Sequence, residues 1–217
     1  MSRSDRARAQ GRGPSAQPPK RALYLFMEGE VTEREYLEGV YDPGKVQLHF
    51  KFMGGAPKTV VERALGSLRP TARSGSKKEA KRKGQAPSSP KAAPPSQAWC
   101  VFDRDDHAHV PQALQEARAG GLRVAYSNPC FELWLLLHFQ PNPGAHHRHH
   151  LQRELARLMP GYDPDDHKHL DFSRLAGGVE DAIKRAEQML MQAQALQGFD
   201  HEHNPQTSVH ELVRELR

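Results

Sequence analysis

Short apolar runs, separated by segments with helical spacing, dominate the pattern of this chain. Leu23–Met27 is apolar throughout and reads as a buried strand. Thr32, with Glu35 three residues on, matches a capping box opening a helix through about Val40. Val46–Met53 alternates, with Val46, Leu48, Phe50 and Phe52 on one face and Gln47, His49 and Lys51 on the other, as a half-buried strand does. Gly54-Gly55 ends it, and Pro57–Leu68 reads as a helix.

The pattern resumes at Trp99–Phe102, a strand, followed by a helix over Pro111–Ala119 that Gly120-Gly121 closes. Leu122–Tyr126 is the next strand. Ser127-Asn128-Pro129 then turns the chain into Phe131–Phe139, apolar on nearly every side and so predicted as a buried helix. Helical spacing returns over His149–Met159, Val179–Leu196 and Ser208–Leu216, the last capped by Thr207 or Ser208. Strands alternating with helices predict an α/β fold: a mainly parallel sheet flanked by helices, with a helical C-terminal extension from about residue 149.

Composition divides the 217 residues unevenly. Residues 1–20 are rich in Arg, Gly, Ser and Pro and read as a disordered basic tail. Residues 69–97 are rich in Pro, Ser, Lys and Ala and read as a disordered basic insertion, too poor in apolar side chains to offset its ordering entropy. Residues 1–21 and 71–91 carry net charges of +5 and +6, so the chain's +5 leaves −6 for the remainder. The part expected to fold, residues 21–217, is therefore acidic outside its insertion. The basic segments fit either solvated tails or salt-sensitive, sequence-independent attraction to nucleic acid.

Cys100 and Cys130 each lie in an apolar stretch, which fits buried thiols better than a disulfide framework. The N-terminus lacks the apolar core of a secretory signal, and Leu133–Phe139 is too short to span a bilayer. A cytoplasmic protein is expected. No phosphate-cradling P-loop is present, so ATP hydrolysis by the chain itself is not expected.

Two of the apolar runs end on acids. Ala22–Met27 delivers Glu28, and Ala98–Phe102 delivers Asp103, Asp105 and Asp106. Ligands of open α/β sheets bind outside the carboxyl ends of strands. Carboxylates gathered there suit a hard divalent cation, which polarises a phosphoryl oxygen or acidifies a bound water. The bland alternative is solvated acids in the first turn after a strand. Glu132 opens the buried helix, where an acid also suits the helix dipole. The His146-His147-Arg148-His149-His150 run lacks the Cys/His pairing of structural zinc and reads as a solvated loop. His138 reads as buried or helix-capping.

Glu28-Gly29-x-x-Thr32-Glu33 after one strand and Asp103-x-Asp105 after another resemble a Toprim domain. More specifically, Met27–Tyr36, Cys100–Asp106, Ser127–Phe139 and Asn204–Leu216 resemble the RloB-like family. That resemblance implies a Toprim-like fold and Mg²⁺ or Mn²⁺ held by Glu28, Asp103 and Asp105; Glu132 matches a family block whose role the motif does not fix, and its place near a third strand's end makes it a further candidate ligand, with the helix-dipole role as the alternative. Its implied activity is a metal-dependent nuclease in anti-phage defence, with Glu28 assisting proton transfer. It implies nucleic acid, RNA or DNA, as substrate and an RloA-like AAA-type ATPase as partner. Asn128 and Lys168, beside Tyr162, match family positions where phosphate contact is expected. The competing expectation is a non-catalytic adaptor that binds nucleic acid or the ATPase without cutting.

Overall fold

The computed structural model describes residues 20–68, 97–105, 107, 109–166, 168–197 and 201–217. The expected basic tail up to residue 19, the expected insertion up to residue 96, and Asp106 lie outside the described residues.

Four parallel strands form the sheet: β1 (Arg21–Met27), β2 (Val46–Phe52), β3 (Gln97–Asp103) and β4 (Arg123–Asn128). A two-residue strand, β5 (Gln206–Thr207), adds antiparallel to the end of β4, giving the order β2-β1-β3-β4-β5. Cys100, Val101 and Phe102 of β3 are buried, so both faces of this central strand are covered. Such strands read as continuous apolar runs, which is why the sequence pattern exposes them.

Helices α1 (Thr32–Val40) and α2 (Pro57–Leu68) pack on opposite faces of the sheet. Leu23, Leu25 and Met27 point into one apolar layer with Tyr36 and Leu37, while Phe26 points into the other with Val60, Val61 and Ala64. Crossovers of one hand produce this split, because the chain leaves β1 toward β2 and then returns past β1 to β3. Helix α3 (Val110–Ala119) joins α2 in the smaller layer.

The larger layer takes α4 (Glu132–Leu136), α5 (Arg148–Leu158), α6 (Ser173–Ala176), α7 (Val179–Gln197) and α8 (Val209–Leu216). The C-terminal helices thus pack into the same core as the sheet. The helix predicted over Phe131–Phe139 is regular only over Glu132–Leu136; His138 N–H bonds the Leu135 carbonyl and Phe139 N–H that of Leu136, one residue tighter than an α-turn. Among the described residues no helix is long and apolar enough to cross a membrane.

Two capping expectations resolve differently. Thr32 is the first residue of α1, and its hydroxyl donates 3.1 Å to the Lys168 carbonyl. The Glu35 carboxylate accepts from the Leu170 amide at 2.6 Å, so the capping-box pair holds a distant loop instead. At α8 the Thr207 hydroxyl accepts from Val209 N–H at 3.3 Å, whereas Ser208 Oγ accepts from Tyr126 N–H and donates to the Val124 carbonyl.

Candidate metal centre and acidic cleft

The direction in which the chain leaves the sheet reverses between β1 and β3, and there an open α/β sheet forms its binding crevice. Beyond the strand ends the hydrogen-bond ladder continues: Glu28 N–H bonds the Val101 carbonyl at 3.1 Å and Asp105 N–H bonds the Pro129 carbonyl at 3.2 Å. These bonds hold the acids in register over a cleft of about 400 Å³. Glu28, Asp103, Asp105 and Glu132, delivered by three separate stretches of chain, all line it, and so do Glu33 and Lys168.

Glu28, Asp105 and His107 each offer a ligand atom within 4.8 Å of the other two. His107 Nε2 lies 3.4 Å from Glu28 Oε1. Asp105 sits at φ +36°, a left-handed conformation that aspartate tolerates better than most residues, and this turn brings its carboxylate beside Glu28. Glu28 Oε2 and Asp105 Oδ1 are shielded from solvent and accept no hydrogen bond. Bare buried carboxylate oxygens are costly, and a divalent cation would satisfy both. The donor set therefore fits such an ion. Among the described residues no other trio of acidic, His or Cys ligand atoms is as tight.

Asp103 and Glu132 lie in the cleft outside that trio. Asp103 Oδ2 accepts from Phe131 N–H at 3.0 Å. Burial, reinforced by Glu33, Glu132, Asp105 and Glu28, pushes the Asp103 carboxyl well above the usual range. Glu132 is buried, its Oε1 accepting from the Tyr162 hydroxyl at 2.6 Å and Gln152 Nε2 at 3.1 Å. Glu33 is pushed up to about 7, chiefly by burial, with Glu132 and Glu28 adding to it. Glu28 is raised too, mainly by burial and then by Asp105, against the opposing pull of His107. So many carboxylates in one shielded cleft repel one another until protons or cations neutralise them.

The two expected phosphate contacts separate. Lys168 lines the cleft, held at φ +49° with its carbonyl on Thr32. Asn128 is buried off the cleft, its Nδ2 donating to the Glu202 and His203 carbonyls at 3.1 and 3.0 Å. Tyr162, in turn, is engaged with Glu132.

Three participants escaped the sequence reading. His107 continues the Asp103-Arg104-Asp105-Asp106 run, so an imidazole directly after the acids was the available signal. Glu33 stands in the first motif but was given no role. Arg148 sits inside the His-rich run, opens α5, and pairs its Nη1 with Asp105 Oδ2 at 2.7 Å. The neighbouring histidines engage one another instead, His146 stacking on His150 at 4.0 Å and His147 Nδ1 accepting from His149 N–H. Cys130 also lines the cleft; like Cys100 it is a buried free thiol.

Fold and cleft together define an α/β protein with an acidic crevice at the strand carboxyl ends. The family model described as RloB-like protein matches residues 23–216, and the chain belongs to that family. No curated protein and no solved structure matches it.

Proposed function

We propose that this chain is a divalent-metal-dependent nuclease with a Toprim-type centre, cleaving phosphodiesters of nucleic acid. One observation carries the reading: Glu28, Asp105 and His107 converge within 4.8 Å while two shielded carboxylate oxygens have no partner. These three residues would hold Mg²⁺ or Mn²⁺, with Asp103 and Glu132 as the carboxylates behind them. An ion there supplies Lewis-acid polarisation of the phosphodiester and a more acidic bound water. Glu33, with its acidity near neutrality at about 7, is suited to take a proton and return it. Asp103 is kept in place by the Phe131 amide, and Glu132 by Tyr162 and Gln152. Thr32 and Glu35 hold the 168–170 loop over the cleft.

Membership of the RloB-like family supports placing this nuclease in anti-phage defence beside an AAA-type ATPase of the RloA kind. The test is incubation with tRNA, single-stranded DNA and duplex DNA in Mg²⁺, Mn²⁺ or EDTA, with and without that ATPase. Cleavage is expected only with metal, falling by about a hundredfold or more in Glu28→Gln and Asp105→Asn. Undiminished cutting by both variants would exclude this site. Binding without cutting under every condition would favour the adaptor.

A further inference from the structure

We infer that Arg148 binds a backbone phosphate of the nucleic acid in this cleft, with Asp105 holding its guanidinium in place. This rests on the nuclease reading above and names the residue that meets the substrate.

The cleft's lining carries seven carboxylates against one arginine and one lysine. A phosphodiester entering it is repelled by the floor unless fixed cations offset those acids. Arg148 lies at the first position of α5, and its side chain is 32% exposed, at the boundary between the shielded floor and the open cleft.

Its hydrogen-bonding capacity is mostly unspent. A guanidinium carries five N–H donors in a planar fork that matches phosphate oxygens. One nitrogen, Nη1, is on Asp105 at 2.7 Å, while Nε is shielded from solvent and has no partner. A buried unpaired donor of this kind is costly and rare. The tie to Asp105 fixes the guanidinium plane, so little of its freedom remains to be lost when a phosphate oxygen arrives. It also places the arginine next to a proposed metal ligand, where a neighbouring phosphate of the same strand would lie.

A competing role is that Arg148 serves only as counter-ion to Asp105, and the two roles predict different salt behaviour. Binding of a short fluorescent single-stranded oligonucleotide would be measured by anisotropy across a salt series, with Ca²⁺ replacing Mg²⁺. Arg148→Gln is expected to weaken binding about tenfold and to make the log K against log salt slope shallower by about 0.7, as loss of one phosphate contact requires. Arg148→Lys is expected to restore the slope and only part of the affinity, because ammonium keeps the charge without the fork. Mn²⁺ alone, titrated calorimetrically, should bind Arg148→Gln as tightly as wild type or tighter, since Asp105 loses a competing cation. An unchanged salt slope in Arg148→Gln, with Mn²⁺ affinity altered or not, would overturn the phosphate role. Failure of wild type to bind Mn²⁺ or oligonucleotide would instead sink the nuclease reading, and this inference with it.

Discussion

At the scale of single residues, His138 separates structure from chemistry. It is buried, with Nδ1 3.1 Å from the Trp134 carbonyl and Nε2 3.1 Å from the Tyr36 hydroxyl. Burial lowers its pKa from 6.5 to about 4, so the folded protein holds it neutral at neutral pH. A depressed pKa means stability that is present above 6.5 and lost as pH falls through about 4. The cleft carboxylates gain protons over the same window and oppose this trend, so the wild-type curve alone mixes the two. Urea denaturation of wild type against His138→Leu isolates it. The difference should shift against wild type by about 3 kcal/mol between neutral pH and pH 4. Parallel curves would show that His138 does not titrate with unfolding. Tyr36→Phe, which removes the hydroxyl but keeps the ring, should retain the slope.

At the scale of elements, β1 and β3 were legible because parallel strands buried on both faces leave continuous apolar runs, and the edge strand β2 because its half-buried face leaves an alternating one. What was not legible depended on distant partners. Gln206-Thr207 has no apolar alternation; β5 exists because Asn128 and Ser127 at the end of β4 offer it a ladder. Arg148 reads as one cation among histidines until α5 is set against the end of β3. The Thr32–Glu35 spacing satisfies a local rule, yet the Lys168 carbonyl and the Leu170 amide win both side chains. The acids at the ends of β1 and β3 were visible, but which of them come within 4.8 Å of one another depended on the turn at Asp105. The loop contacts predict a local effect. Thr32→Val combined with Glu35→Ala should speed hydrogen exchange at the Leu170 amide by roughly ten- to a hundredfold, since each lost bond is worth about 0.5–1.5 kcal/mol net. Amides in α7 should keep their wild-type rates. Uniform acceleration through the core would mean that the loop is part of the global unfolding unit.

At the scale of the whole molecule, the proposed metal site and the fold's stability are coupled through charge. Glu33 rises from 4.5 to about 7 on folding, and burial raises Glu28 and Asp103 as well. Raised pKa values contribute stability that is complete below about 4.5 and lost as pH climbs through about 7, when the shielded cleft fills with negative charge. A divalent ion reverses that loss by ligating the ionised carboxylates. At a hundredfold its dissociation constant, an ion bound only to the folded state adds about 2.7 kcal/mol. For a chain of 217 residues this is a rise of roughly 5–10 °C in Tm. Mn²⁺ should therefore lift Tm strongly at about pH 8 and less at about pH 5, where protons compete for the cleft and Glu33 is already neutral. Asp105→Asn should abolish most of the Mn²⁺ increment at about pH 8 by removing a proposed ligand. His107→Ala should cost more Mn²⁺ affinity than Mg²⁺ affinity, because imidazole favours the transition metal. Scanning calorimetry over that pH range reads all three effects. A Tm increment independent of pH, or one that survives in Asp105→Asn, would place the bound ion somewhere other than this cleft.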